Sequence, residues 1–340
     1  MFTLTSTNDF SLEIDPKAGT ATLSVRSTDA DIVLAVQIES ANDPELQDAI
    51  AKLHTAAKGY DDATPAQQMW MRLIPTRSSL ALSYHDETLR AMARWALVSR
   101  ETTNITYDLT PLATTTLAHT VAAAVGAPVA QIRDHLAEPG ADDTFIGRMR
   151  AVGETYANTH PIDPEPRFGR RLGWYAAVRA LKPRVVLESG VEKGLGAMLL
   201  CYALERNAAE GAPGRYIGLD NDPCAGALIA PPYARHAQIL TADALDSIAG
   251  LTEPVDLYIN DGDHRLDYEY REYEAMAPHL SPNALILGDN CHVSDALPRF
   301  AEATGQQFLF WHEVPERHWY PGGGIGFAFS PGSGGVSARP

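Results

Sequence analysis

Apolar and polar positions alternate through the first forty residues: Phe2 and Leu4, then Phe10, Leu12 and Ile14, then Ala21, Leu23 and Val25, with an apolar run over Ile32–Val36. A period of two is the signature of strands, and Asp15–Pro16–Lys17–Ala18–Gly19 reads as a turn between two of them, so this stretch predicts a small antiparallel sheet. From residue 42 to 150 the spacing becomes helical. Asn42–Asp43–Pro44–Glu45 is a helix start, Leu46, Ile50 and Leu53 recur on one face, and Gly59 is a stop. Further helices are predicted over His85–Arg100, with Leu89, Met92, Trp95 and Leu97 as apolar positions, and over Leu109–Val125, ended by Gly126–Ala127–Pro128. His119 and His135 fall within helical patterns and read as structural or exposed.

Beyond Phe168 short apolar runs alternate with helical segments: Arg184–Leu187, Tyr216–Leu219, Gln238–Leu240, Val255–Ile259, Leu285–Leu287, Phe308–Trp311 and Gly326–Phe329. Strands alternating with helices predict βαβ units, hence an α/β fold with a doubly wound, mainly parallel sheet of seven strands. A helix over Arg170–Leu181 precedes the first strand and ends at Lys182–Pro183. The expected organisation is an N-terminal α+β extension over residues 1–150, an α/β domain over 151–330, and a disordered Gly/Ser/Pro-rich tail over 331–340.

Composition narrows the function. The 340 residues carry 27 basic and 43 acidic side chains, a formal net charge of −16. That balance disfavours nucleic acid and anionic membrane surfaces, which need Lys and Arg, and favours a small-molecule substrate. No apolar run reaches the roughly 20 residues of a membrane span, and the first residues lack the basic start and apolar core of a signal peptide. Cys201, Cys224 and Cys291 are too few and too scattered for a disulfide framework or a zinc site, so reduced thiols in a cytoplasmic protein are expected.

The first strand of the α/β region leads into Glu188–Ser189–Gly190–Val191–Glu192–Lys193–Gly194–Leu195–Gly196 and then an apolar helix. A strand, a glycine-bearing loop and a helix N-terminus make a cofactor site at the carboxyl end of a sheet. A dinucleotide fingerprint places Gly-x-Gly-x-x-Gly straight after the strand. Here an acidic residue comes first, and it suits a cationic ligand better than a pyrophosphate. The second strand ends at Asp220, 32 residues after Glu188, where a carboxylate can accept hydrogen bonds from ribose hydroxyls, and the third leads to Asp243. The loop resembles the first motif of class I S-adenosylmethionine (SAM)-dependent methyltransferases. That resemblance implies a Rossmann-like fold and a SAM site at Glu188, Gly190, Gly194, Gly196, Asp220, Asp243 and Asp261, with Asp243 near the adenine amino group.

Strand four runs into Asn260–Asp261–Gly262–Asp263–His264 and strand five into Gly288–Asp289–Asn290–Cys291–His292. Adjacent parallel strands put their carboxyl ends side by side, so Asp261 and the pair Asp289–Asn290 should converge. Clustered carboxylates repel unless protonated or neutralised, and oxygen donors suit a hard divalent cation such as Mg²⁺. The 28-residue spacing from Asp261 to Asp289, followed by Asn290, resembles catechol-type metal-dependent O-methyltransferases. The wording Ile-Asn-Asp-Gly-Asp-His resembles the macrocin O-methyltransferase-like and cephalosporin hydroxylase-like natural-product enzymes, whose members more often carry an acidic pair where Asn290 stands. The resemblance covers residues 168–330 and implies metal ligands Asp261, Asp289 and Asn290.

A metal-bound hydroxyl would be acidified and positioned, and a base would take its proton. His264 is the first choice, with His292 and Asp263 behind it; Asp289 as a helix cap and Asp263 as a turn former are the structural alternatives. His318, Trp319 and Tyr320 lie in the expected hairpin between the last two strands, and Tyr268 or Arg265 are within reach of the site. The expected function is methylation of a hydroxyl on a sugar, a phenol or a specialised metabolite. A metal-independent N-, C- or carboxyl methyltransferase stays open, as does an inactive SAM-fold binding protein. A lid or homo-oligomer role for the N-terminal region is also left open.

Overall fold

The first period-two stretch forms an antiparallel meander of four strands: β1 (Phe2–Thr7), β2 (Phe10–Asp15), β3 (Thr20–Arg26) and β4 (Val33–Glu39). Its register puts Leu4 opposite Leu12, Leu12 opposite Leu23, and Leu23 opposite Val36. The apolar period therefore keeps one set of positions in line across the sheet. This is a computed structural model. It describes residues 2–7, 10–15, 17–26, 33–39, 43–58, 64–69, 84–101, 106–157, 162–163 and 165–330, with 73, 77, 80 and 81 besides. The expectations for Pro16, Ile32, Asn42, Gly59 and the tail 331–340 lie outside the described residues. Helix α1 (Pro44–Lys58) starts where Asp43 Oδ1 accepts the Leu46 N–H at 3.0 Å, an N-cap with Pro in the first turn. Helix α2 (Asp86–Val98) follows within the expected span.

The chain forms two compact units, residues 1–98 with 317–319, and residues 99–316 with 320–340. The boundary expected at residue 150 therefore falls inside the second unit. Helices α3 (Pro111–Val125), α4 (Val129–Ala141) and α5 (Asp143–Ala157) belong to the α/β unit because their apolar faces join its core. Thr110 caps α3 by accepting the Ala113 N–H, and Gly126 ends it in the left-handed conformation. Glu138 of α4 reaches helix α6 (Arg171–Leu181), where it accepts from Tyr175 Oη at 2.6 Å and Arg179 Nε at 2.8 Å. Among the described residues no single helix is long and apolar enough to cross a membrane.

The second unit holds the expected seven-stranded sheet. Its strands are β5 (Val185–Ser189), β6 (Arg215–Asp220), β7 (Ala237–Thr241), β8 (Val255–Asn260), β9 (Leu280–Asp289), β10 (Gln307–His312) and β11 (Gly324–Phe329). Their order is β10-β11-β9-β8-β5-β6-β7, with β11 antiparallel to both neighbours and the central pairings parallel. Between them run α7 (Leu195–Ala209), α8 (Ala244–Ala249), α9 (Leu266–Met276) and α10 (Ala296–Thr304).

Side-chain alternation sorts the strand residues into two layers. Val186, Tyr216, Leu257, Ile259, Leu287 and Phe327 join the core under α3, α4, α6 and α7. Leu187, Ile217, Leu219, Tyr258 and Ile286 face α8, α9 and α10 through Ile248, Tyr273, Met276, Leu297 and Phe300. Both faces of the sheet are covered, which is why its strands read as near-continuous apolar runs.

Candidate functional site

Register sets the height of every acidic strand end. Ser189 pairs with Leu219 and with Asn260, and Asn260 pairs with Gly288. One step further along, Gly190, Asp220, Asp261 and Asp289 therefore share one level at the carboxyl edge. Glu188, level with Gly218 and Ile259, lies one layer deeper. It is 2% exposed, accepts the Tyr216 hydroxyl at 2.5 Å on Oε2, and burial pushes its pKa up to about 8 against that bond. Glu188 is thus a mainly neutral carboxyl inside the sheet-helix layer, and it does not line the cavity above. The expected sulfonium partner is corrected on that point: the strand continues one residue past the acid, to Ser189, before the chain opens.

The cavity occupies about 710 Å³ at the carboxyl ends of β5, β6, β7 and β8 and is lined by Gly190, Asp220, Asp222, Asp243, Asp261 and Tyr268 among others. That size suits a cofactor-sized ligand, and the carboxylates suit one that carries positive charge. Gly190 is needed for two reasons. Its φ is +84°, and a Cβ there would stand 2.1 Å from the Asp261 carbonyl oxygen. Gly194 and Gly196 face elsewhere: a Cβ on Gly194 would meet Gly226, and one on Gly196 would meet Trp174. Their role is close packing of the α7 end, not contact with the cavity.

Asp220 is already occupied. Its Oδ2 accepts the Val191 and Glu192 N–H groups at 2.9 Å each, and its Oδ1 accepts that of Asp222 at 2.8 Å. One lone pair on Oδ1 remains for a ligand hydroxyl, where two free acceptors were expected. Asp243 caps α8 by accepting the Leu245 N–H on Oδ1 and takes the Tyr268 hydroxyl on Oδ2 at 3.1 Å. At the floor lies a polar group with no forecast in the chain pattern. Ser189 Oγ donates to Glu272 Oε1 at 2.5 Å and Asn260 Nδ2 to Glu272 Oε2 at 3.1 Å. All three are buried. Ser189 and Asn260 interrupt apolar strands at their last position, and that interruption is the signal that could have marked them.

Asp261 and Asp289 come together at the second cluster, with His264 as its third member. Asp261, His264 and Asp289 each offer a ligand atom within 4.8 Å of the others. Burial and the neighbouring Asp289 charge hold the Asp261 carboxyl well above its ordinary range, and the two carboxyls are hydrogen-bonded to each other. Burial works against ionisation of Asp289, and the Arg170 guanidinium overrides it, keeping Asp289 below the usual carboxylate range. Arg170 Nε donates to Asp289 Oδ1 at 2.6 Å and Nη2 to Oδ2 at 2.5 Å. His264 Nε2 lies 3.8 Å from Asp261 Oδ1 and 3.3 Å from the Asn290 side-chain nitrogen, while its Nδ1 is buried without a hydrogen-bond partner. Asn290 stands at φ +48°, a left-handed position that asparagine tolerates.

The other expected bases fare differently. Asp263 is paired with Arg265 at 2.6 Å, and that bond lowers its pKa, so it is a poor proton acceptor. His292 lines a separate, shallow cavity of about 570 Å³ with His264, Leu266, Val293, Phe308 and Phe310; burial and the Arg170 charge lower its pKa. The hairpin expected between the last strands is present, β10 pairing with β11 from Gln307–Phe329 to His312–Gly324.

Residues 187–291 match the family described as a methyltransferase domain. The chain carries a methyltransferase domain. Among solved structures, an O-methyltransferase from Bacillus cereus in complex with SAH is 19% identical, over 58% of this chain and 96% of that one, with a TM-score of 0.41. The O-methyltransferase TomG from Streptomyces achromogenes, involved in tomaymycin synthesis and in complex with SAM, is 15% identical over 58% and 95%, with a TM-score of 0.42. A methyltransferase from Geobacter sulfurreducens is 16% identical over 56% and 90%, with a TM-score of 0.40. No curated protein matches the chain. The methyltransferase match runs from within β5 to just past β9 and takes in Asp261, His264, Asp289, Asn290 and the residues lining the acidic cavity other than Arg170 and Arg171.

Proposed function

We propose that this methyltransferase domain binds SAM in the acidic cavity and transfers its methyl group to a hydroxyl of a small molecule, with a divalent cation, Mg²⁺ by donor chemistry, at Asp261, Asp289 and Asn290. The observation that carries the reading is the convergence of Asp261, His264 and Asp289 within 4.8 Å at the edge of that cavity. The residues fit a cation. Two carboxyls that share a hydrogen bond, with the Asn290 side chain and an imidazole beside them, make a hard, mainly oxygen donor set. When bound, the cation would acidify and orient the acceptor hydroxyl.

This chain's own residues supply the rest. The cavity's carboxylates favour a sulfonium, and Tyr268 and Asp243 offer polar contacts to an adenosyl group. His264 lines the shallow cavity, stands beside Asp261 of the acidic one, and is the base that takes the acceptor's proton. The acceptor enters from the shallow side, where Leu266, Val293, Phe308 and Phe310 give it an apolar footing. A metal-independent transfer is the second reading, favoured by the Arg170 clamp on Asp289.

Methyl transfer from labelled SAM to catechol, sugar and hydroxylated metabolite acceptors tests both. Loss of turnover with a strong chelator and its recovery with Mg²⁺ support the first reading, as does loss of metal stimulation in Asp289→Ala. Full activity of chelated wild-type protein would sink it in favour of the second.

A further inference from the structure

One cation serves two buried carboxylates beside the candidate metal ligands. Arg170 stands directly before α6, its side chain 7% exposed. The left-handed Gly169 before it leaves no room for a side chain, since a Cβ there would stand 2.4 Å from the Tyr107 ring. Arg170 holds Asp289 by both oxygens, and its Nη1 donates to Glu313 Oε1 at 2.9 Å and to Tyr107 Oη at 2.6 Å. Glu313 is fully buried; it accepts the Tyr107 hydroxyl at 2.7 Å and the Gly323 N–H at 2.8 Å. Every donor of this fork that points inward has a partner, so the guanidinium is fixed in place.

The arrangement has two consequences for a cation at Asp289. The fork fixes the plane of the carboxylate, and it takes one lone pair from each oxygen. It also places a permanent positive charge against a ligand of a second positive charge. Glu313 acts in the opposite sense, because it draws on the same guanidinium.

We propose that Arg170 is the resident counter-ion of the acidic cluster: a positioning residue that orients Asp289 while holding the site's affinity for a divalent cation low, with Glu313 setting how much of its charge Asp289 feels. The inference rests on the reading of Asp261, Asp289 and Asn290 as a divalent site. A weak resting site would be completed by the acceptor's own oxygen, which ties cation uptake to substrate.

The test is Mn²⁺ affinity of the full chain without SAM or acceptor, read from the loss of the free Mn²⁺ paramagnetic resonance signal at fixed pH. Glu313→Gln should weaken Mn²⁺ binding by about threefold or more, since Arg170 is then directed at Asp289 alone. The double variant Arg170→Met, Glu313→Gln removes one buried charge of each sign and should bind Mn²⁺ about threefold or more tightly than wild type. A merely structural role for Arg170 would weaken both. Should the double variant not fold, Arg170→Lys keeps a charge but cannot bond both oxygens; tighter binding supports the proposal, and equal or weaker binding overturns it. Wild-type binding with a double variant that is no tighter overturns this inference alone. No Mn²⁺ uptake by any of the proteins overturns the divalent reading of the site together with it.

Discussion

Replacing Glu188 by Gln exchanges a buried carboxyl for a neutral isostere and separates two accounts of this residue. In the native fold burial raises its pKa to about 8, whereas an unfolded chain releases that proton near 4.5. A group whose folded pKa is raised contributes its full stability below the unfolded value and loses it as pH climbs towards the folded one. Each pH unit in that window costs about 1.4 kcal/mol, so the wild type loses about 4 kcal/mol between pH 5 and pH 8 through Glu188 alone. Glu188→Gln has no proton to lose. The amide oxygen still accepts the Tyr216 hydroxyl, but its NH₂ group enters a site with Trp174 and Gly196 beside it, at a cost of about 1–2 kcal/mol. The stability curves should therefore cross: the variant is weaker than wild type at pH 5 and stronger at pH 8. Denaturant unfolding at both pH values measures this. At pH 7 the variant should also keep SAM affinity within about threefold, because one neutral group replaces another. Parallel pH profiles, or a tenfold loss of SAM affinity, would refute the buried neutral carboxyl and restore Glu188 as a direct ligand.

Two further outcomes follow from the same geometry. Gly190→Ala drives a Cβ to 2.1 Å from the Asp261 carbonyl oxygen at a φ of +84°, so SAM binding by calorimetry should be lost while far-ultraviolet circular dichroism is kept. Glu138→Gln breaks the tie between α4 and α6; Arg179, Tyr175 and His135 overcome burial and hold its pKa at about 2, so the wild type has about 3 kcal/mol that the variant lacks at neutral pH, a gap that closes as pH falls from 4.5 towards 2.

Much of the fold was legible because its signals are local. Period-two runs marked the four-stranded meander, and apolar runs split by helical spacing marked all seven strands of the large sheet. Asp261 and Asp289 could be placed together because parallel strand ends lie side by side, and register puts them on one level. The height of Glu188 was not legible, since a strand's last paired residue depends on its neighbours as much as on itself. Arg170 and Glu313 were hidden for a different reason. Arg170 meets Asp289 across 119 residues and Glu313 across 143, and a charge pair carries no period that a sequence window can detect. The boundary between the units was missed likewise, because α3, α4 and α5 read as a helical region of their own until their apolar faces find α6 and α7.

Strand β11 follows β10 in the chain yet lies between β10 and β9. The sheet is thus closed by its last-made strand, slipped into a gap, not added at a rim. Until that hairpin folds back, β9 has an open row of backbone donors and acceptors along the flank that carries Asp289. An unpaired edge of that kind recruits other chains. A chain cut before Gly324 should therefore lose solubility before it loses helix, and interruption of synthesis there would be more damaging than the loss of one short strand implies.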